Sequence, residues 1–431
     1  MNRFFYSLLL CVALPFVPLK LLWRGIKQPA YRQHWVERFG YYHQSISKPI
    51  VWLHCVSVGE TRAAEPLIKA LQKRYPQHQI LLTHGTPTGR DASEALFGDS
   101  IQRVYLPYDL PFAVNNFLRY FQPKIGLIME TELWFNLIAA CKQRQIPLLL
   151  LNARMSEKSF NGYEKLGKLT HEGLQNLSAI AAQTADDASR LQALVGKSNS
   201  ARNISVAGNL KFDVKPPANT VDKGAQLRAQ LDENRAIFLA ASTRAGEESI
   251  ILEAVKGLDI LTVIVPRHPQ RFNEVETLIK SAELSYKRRS NLLAPISAPL
   301  SFDTPISSNK KVQIILGDSM GELFTYYAVC DFTFIGGSLL PFGGQNLIEA
   351  ATMGKPILIG EHTFNFANAT ESAVNTGAAV RVKDTAELRQ QIQFLIDNKA
   401  KRTQMQQAAL AFSAAATGAT GRLMALIETY L

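Results

Sequence analysis

Three groups of side chains in this sequence have the types and spacing that chemistry needs. The first is acidic. Glu60 closes Ser57-Val-Gly-Glu60, just beyond the apolar run 50–56, and Glu130 and Glu132 stand in Glu130-Thr-Glu-Leu-Trp134, just beyond the apolar run 125–129. Carboxylates past the ends of buried strands lie where α/β proteins carry out their reactions. Two roles fit Glu60: a general base, or a helix-start carboxylate that only faces the helix dipole. The second group is cationic. Arg267, His268 and Arg271 crowd into Pro266-Arg-His-Pro-Gln-Arg271, an anion site, and Lys211 stands before a proline-rich join, placed to offset a phosphate or carboxylate. The third is the glycine loop Gly336-Gly-Ser-Leu-Leu-Pro-Phe-Gly-Gly-Gln-Asn-Leu-Ile-Glu-Ala350. Its backbone N–H groups and the helix that follows suit a phosphate, and Glu349, one turn into that helix, suits ribose hydroxyls. Ser242-Thr-Arg-Ala-Gly-Glu-Glu248 has the same look of a phosphate-binding helix start.

These groups require a parallel sheet to hold them. Short apolar runs at 50–56, 79–83, 102–107, 125–129, 147–152, 180–183 and 204–207 read as strands, with helical spacing between them, as at 61–75. The pattern restarts at 236–241 and continues through 261–265, 313–316, 332–335 and 357–359, with a helix expected over 346–353 and helices from about 385 to the end. Between the halves, Val214-Lys-Pro-Pro-Ala-Asn-Thr220 reads as a linker. The expected organisation is a hydrophobic anchor with a basic flank at 1–30, an α/β domain at 31–213, a linker at 214–222, a second α/β domain at 223–415 and a final helix at 416–431 packing back on the first domain.

At 431 residues the chain exceeds one ordinary core, and 47% hydrophobic with 19% charged residues is a globular composition. A net charge of +11 points to an anionic substrate or membrane. Nucleic acid is set aside, since neither zinc-finger spacing nor an aromatic RNA-binding signature occurs. Cys11, Cys55, Cys141 and Cys330 are scattered in apolar contexts and read as small buried hydrophobes in a reducing compartment. No clustered Cys/His spacing suggests a metal.

Residues 4–19 are nearly all apolar and are followed by Lys20, Arg24, Lys27, Arg32 and Arg38. A membrane anchor fits this best. The basic flank keeps the downstream body cytoplasmic and offers charge to anionic head groups. The segment either spans the bilayer or dips into it.

Six motifs then occur in order: Ser57-Val-Gly-Glu60, Met129-Glu-Thr-Glu-Leu-Trp134, Gly208-Asn-Leu-Lys-Phe-Asp213, Pro266-Arg-His-Pro269, Gly317-Asp-Ser-Met-Gly-Glu322 and Gly343-Gly-Gln-Asn-Leu-Ile-Glu349. Together, and over essentially the whole chain, they resemble the 3-deoxy-D-manno-oct-2-ulosonate (Kdo) transferases that act on lipid A precursors in Gram-negative bacteria. One departure is Phe135, where a proline is expected; it should perturb only a helix start.

The resemblance implies a GT-B glycosyltransferase of the α/β class, with two Rossmann-like domains facing across a cleft. It implies CMP-Kdo as donor, a lipid A precursor (lipid IVA) as acceptor, and a place at the inner, cytoplasmic membrane with the catalytic domains on the cytoplasmic side. Glu60 would be the base of an inverting reaction, with Glu130 and Lys211 stabilising the transition state. Arg267, His268, Gly317, Asp318, Ser319, Met320, Gly344, Asn346 and Glu349 would bind CMP. No Asp-x-Asp motif is present, so the expected reaction uses neither a metal nor another cofactor, and its partners are donor, acceptor and anionic lipid rather than nucleic acid.

Overall fold

The computed structural model describes residues 1–196, 204–231, 235–292 and 311–431. They form two compact units, Met1–Asp213 with Ala416–Leu431, and Val214–Ala415. The helix Thr220–Leu231 begins inside the stretch read as linker, which leaves 214–219 as the join.

The first unit is built on a parallel sheet of β1 (Ile50–His54), β2 (Gln79–His84), β3 (Gln102–Tyr105), β4 (Ile125–Met129), β5 (Leu148–Ala153), β6 (Ala179–Ala182) and β7 (Ile204–Val206). Their order is β3-β2-β1-β4-β5-β6-β7. The central strands are mostly apolar and buried throughout because both faces are covered. Trp52, Leu81, Ile128, Leu148 and Leu150 enter one core layer, and Val51, Leu53, Leu82, Leu127 and Leu149 enter the other. Gly126 in β4 makes room for the large member of that first layer: a Cβ there would stand 2.7 Å from the Trp52 ring. The second layer is closed by the helix Ala419–Glu428, through Ala419, Leu423 and Ile427.

The second unit repeats the plan with β8 (Ile237–Thr243), β9 (Leu261–Pro266), β10 (Tyr286–Arg288), β11 (Ile314–Leu316), β12 (Phe332–Ile335), β13 (Ile357–Ile359) and β14 (Ala379–Arg381). The order is β10-β11-β9-β8-β12-β13-β14, all parallel. Each sheet therefore has one place where the connections turn outward in opposite directions, between β1 and β4 in the first and between β8 and β12 in the second. Ligands of such sheets bind beyond the carboxyl ends of the strands at that point.

Two helices, α1 (Arg3–Ala13) and α2 (Phe16–Lys27), precede the first sheet and bend by 56° at their break. As a bent pair they are long and apolar enough to cross a membrane. One side is fixed to the first unit. The Tyr6 hydroxyl donates to Asp109 (2.9 Å), the Ser7 hydroxyl to Asn136 (2.9 Å), and Leu21 is buried. The other side exposes Phe4, Leu8, Leu9, Val12, Phe16, Leu19, Trp23 and Ile26. Cys11 is exposed on this segment, against the expectation that all four cysteines are buried. Arg38 also departs from its place in the basic flank. It is buried, donates to the Gly85 carbonyl (3.2 Å) and lies 3.9 Å from the centre of the Tyr105 ring, so it offers no charge to a surface. Phe135 opens the helix Phe135–Gln143 without disturbing it, and its ring receives Tyr6 edge-on at 5.3 Å, a contact with α1 that goes beyond a helix start.

Candidate active site

In the first unit, Ser57-Val-Gly-Glu60 is not a turn but the cap and first turn of α3 (Val58–Arg74). The Ser57 oxygen accepts the Glu60 N–H (3.4 Å), and the Ser57 hydroxyl donates to Glu60 Oε1 (2.8 Å). The Val56 N–H donates to Oε2 (2.8 Å). This is a capping arrangement, so Glu60 is a helix-start carboxylate. It is also nearly buried at the end of β1, and burial holds its carboxyl above the ordinary range. The Val56 and Ser57 hydrogen bonds oppose that shift, nearby Glu130 adds to it, and Lys211 opposes it.

Glu130 follows β4, the strand paired with β1, and takes a left-handed backbone conformation (φ 59°). For a residue other than glycine this costs about 1–3 kcal/mol, a strain that clusters at functional positions. Its Oε1 receives the Lys211 ammonium at 3.2 Å. Lys211 is carried there by three side chains that sequence reasoning passed over. The buried Asn152 Oδ1 accepts the Leu210 N–H (2.9 Å), Asn209 Nδ2 donates to Gln183 Oε1 (2.9 Å), and Gln183 Nε2 donates to the Asn152 carbonyl (2.9 Å). The Asn209 oxygen accepts the Lys211 N–H (2.9 Å). Their signal in the sequence is only that each polar residue stands at the end of an apolar run. Glu132 completes the cluster. Burial, with the charges of Glu60 and Glu130, pushes its carboxyl up to about 7. Lys211 pairs with Glu130 and also acts on Glu60, while Glu132 feels the two neighbouring carboxylates. The nearby histidines do not compete as bases. Burial lowers His54 to about 4 and His84 to about 3, and His84 is bonded through both ring nitrogens, to the Cys55 carbonyl and the Ser93 hydroxyl.

In the second unit the glycine loop follows β12 and the 242–248 loop follows the adjacent β8. The latter is not an open phosphate site. Glu247 and Glu248 fill its helix start, both fully buried. Glu247 accepts the N–H groups of Arg244 (2.9 Å), Gly337 (2.6 Å), Ser338 (2.9 Å) and Leu339 (3.0 Å), so the opening of the glycine loop is occupied by a protein carboxylate. Glu248 accepts the Thr243 hydroxyl (2.7 Å) and both terminal nitrogens of Arg271 (2.5 and 3.0 Å). Arg271 also pairs with Glu274 (2.8 Å), so it is not the anion-binding cation expected. Arg271→Lys keeps the charge but loses the two-pronged bond to a buried acid. We expect a loss of about 1.5–3 kcal/mol, the value of one hydrogen bond to a charged group, read as a lower urea midpoint.

Arg267 and His268 do join the glycine loop. Arg267 Nε donates to Gln345 Oε1 (3.1 Å), and His268 Nε2 lies 2.7 Å from Arg244 Nη1. Arg244 in turn stands 4.8 Å from the centre of the Phe342 ring. Partial desolvation and the charges of Arg244, Arg267 and Arg271 lower His268. Among the described residues neither Arg244 nor Arg267 forms an ion pair with a carboxylate, and Arg244 brings the 242–248 loop to this cluster. The helix after the loop is shorter than expected, Ile348–Thr352 rather than 346–353, so Glu349 lies in its first turn. Asn346 caps it, accepting the Ile348 N–H (3.0 Å) and donating to Glu349 Oε1 (3.2 Å). Burial raises the Glu349 carboxyl, while Asn346 and Arg267 oppose the shift. Gly344 is buried in the same loop, its N–H donating to the Gly337 carbonyl (2.7 Å).

The 317–320 loop is engaged elsewhere. Asp318 accepts the Ser290 N–H (2.9 Å) and hydroxyl (2.7 Å), Ser319 bonds Glu322 and Tyr326, Gly317 donates its N–H to the Ile264 carbonyl (2.8 Å), and Met320 is exposed. Among the described residues no hydrogen bond joins it to Arg267, His268 or the glycine loop. Nor is any group of three His, Cys, Asp or Glu side chains among them placed to share a metal ion.

Two parallel sheets of this topology, with ionisable clusters at both reversal points, make up the GT-B fold. MurG of Acinetobacter baumannii has the same fold at 14% identity, with a TM-score of 0.55 over 89% of this chain and 100% of that one. Residues 33–214 match the family described as 3-deoxy-D-manno-octulosonic-acid transferase (kdotransferase). A 3-deoxy-D-manno-octulosonic acid transferase of Haemophilus influenzae is 36% identical over 100% of this chain and 99% of its own length, and one from Bordetella pertussis is 39% identical over 88% and 87%. The chain belongs to the 3-deoxy-D-manno-octulosonic acid transferase family.

Proposed function

We propose that the chain moves Kdo from CMP-Kdo to a hydroxyl of a lipid A precursor, lipid IVA, with inversion at the anomeric carbon and Glu60 as general base. The observation that carries this is the Lys211–Glu130 pair at 3.2 Å within electrostatic reach of a nearly buried Glu60, in a chain related end to end to a protein named for Kdo transfer. A carboxylate with two bound donors still has lone pairs for a third. Glu60 therefore keeps Val56 and Ser57 and accepts the acceptor's hydroxyl proton as the oxygen attacks. The bond from the anomeric carbon to the CMP phosphate breaks, and CMP leaves with the electron pair. Lys211 offsets negative charge on the Kdo carboxylate or the leaving phosphate. Arg267 and His268 hold the donor's anionic groups, with Gly344, Asn346 and Glu349 beside them, Glu349 on the ribose hydroxyls. The 317–320 loop, Gly317, Asp318, Ser319 and Met320, binds CMP with them, Asp318 keeping its bonds from Ser290. No metal is required.

The test is transfer from CMP-Kdo, generated in situ, to tetra-acylated lipid A precursor, read by mass spectrometry. We expect a gain of one or more Kdo units, unchanged by EDTA. No gain from folded, CMP-binding protein overturns the reading.

The same reading places the protein on the cytoplasmic face of the inner membrane. Held at Tyr6 and Ser7, α1 and α2 dip their exposed apolar side into the bilayer and do not cross it. Burying one such side chain is worth about 1.5–3 kcal/mol. Leu9→Ser, Val12→Ser and Phe16→Ser combined are expected to move the protein from the membrane pellet to the supernatant. Retention of the triple variant in the pellet would count against this segment as the anchor.

A further inference from the structure

We propose that Glu247 is a positioning residue for the donor, an internal acceptor whose carboxyl oxygens sit in the backbone N–H nest at Gly337–Leu339 and set the glycine loop. The inference rests on the reading of the second unit as the CMP-sugar site. Three successive amides that converge on one point form the concavity that elsewhere takes a phosphate. Here they converge on the fully buried Glu247 carboxylate at 2.6, 2.9 and 3.0 Å. Gly337 makes the convergence possible with a left-handed backbone (φ 71°), and a Cβ at Gly336 would strike the Ser242 backbone at the end of β8.

The nest governs the rest of the loop. The Gly337 carbonyl accepts the Gly344 N–H (2.7 Å), and the Gly336 carbonyl accepts the Gln345 N–H (3.0 Å). Gln345 holds Arg267, and the next residue, Asn346, holds Glu349. A chain of hydrogen bonds thus runs from Glu247, which touches no donor atom, to the groups that do. Charge sharpens the consequence. A phosphate cannot share a nest with a carboxylate, so the nest end of the loop is closed to the donor's phosphate. That phosphate is turned toward Arg244, Arg267 and His268, whose positive charge Glu247 does not neutralise.

Glu247→Gln has the same size but one acceptor oxygen in place of two, and its NH2 faces donors. Glu247→Ala empties the nest. The experiment is calorimetric titration of the full-length protein with CMP, with and without millimolar formate, alongside thermal melts. We expect the CMP Kd of Glu247→Gln to rise about tenfold or more, the loss of one hydrogen bond to a charged group. Glu247→Ala is expected to weaken likewise and to recover when formate, a free carboxylate, refills the nest. A recovery specific to formate and absent with chloride separates this role from simple loss of packing. Equal CMP affinity in wild type and Glu247→Gln overturns the role of Glu247 while leaving the donor reading standing. No CMP binding by wild type overturns the donor reading itself. Where both variants fail to fold, hydrogen exchange of the wild type decides: the amides of Gly337, Ser338 and Leu339 are expected to be protected without nucleotide, and rapid exchange there overturns the proposal.

Discussion

Glu60→Gln is expected to slow Kdo transfer by about 10²–10⁴-fold, the range a positioned general base contributes, with CMP binding unchanged. The amide keeps the length of the side chain and one acceptor for the α3 cap, so the fold survives. What disappears is the proton acceptor. Burial raises the Glu60 carboxyl, so the wild-type rate should fall on acidification at a pH above that of an ordinary glutamate, because the protonated form cannot take the hydroxyl proton. Glu132, titrating near 7 beside it, adds to this limb: its ionisation at higher pH puts a further negative charge near Glu60. Near-wild-type transfer by Glu60→Gln in the lipid assay would remove the base assignment.

Lys211→Met is expected to lower transfer by about 10²–10³-fold, comparable to deleting one donor that stabilises developing negative charge. The ammonium does two things that separate in the data. It offsets charge in the transition state, which lowers the rate at every pH. It also opposes the upward shift of Glu60. Removing it lets that carboxyl rise further, so the acid limb of the rate profile moves to higher pH. Glu130→Gln disturbs the same pair from the other side, and the double variant should lose less than the two single losses combined. A rate and a profile both unchanged in Lys211→Met would sink the role of this lysine.

Much of the framework was legible because parallel strands buried on both faces read as unbroken apolar runs. Runs 125–129, 332–335 and 357–359 match β4, β12 and β13 residue for residue. The strands that escaped, β10 and β14, are three-residue edge pieces, Tyr-Lys-Arg and Ala-Val-Arg, with no hydrophobic signature. The acids at the β1/β4 reversal point were legible for the same topological reason, Glu130 directly after β4 and Glu60 in the first helical turn after β1. The glycine loop was misread in one respect. Its spacing announces an N–H nest but not its occupant, and Glu247 lies 90 residues from Gly337 in sequence. The partners of Arg271 and Asp318, Glu248 and Ser290, are likewise distant in the chain and leave no local signal. Polar side chains that act through contacts across the fold, such as Asn152 and Gln183, leave almost no local trace.

The first unit is discontinuous, and this has a consequence for how the protein is made. Asp213, where the chain leaves that unit, caps the helix on which it returns, accepting the N–H groups of Gly418 (2.5 Å), Ala419 (3.1 Å) and Thr420. On the ribosome the seven-stranded sheet of the first unit emerges early, with the patch that Ala419, Leu423 and Ile427 will cover still bare. It must wait while all of Val214–Ala415 is synthesised, about 10–40 s at bacterial elongation rates of about 5–20 residues per second. The second unit is continuous and can fold as it appears. The nascent first unit is thus the part that needs chaperone cover, and a chain released before Ala419 would carry its exposed patch for life.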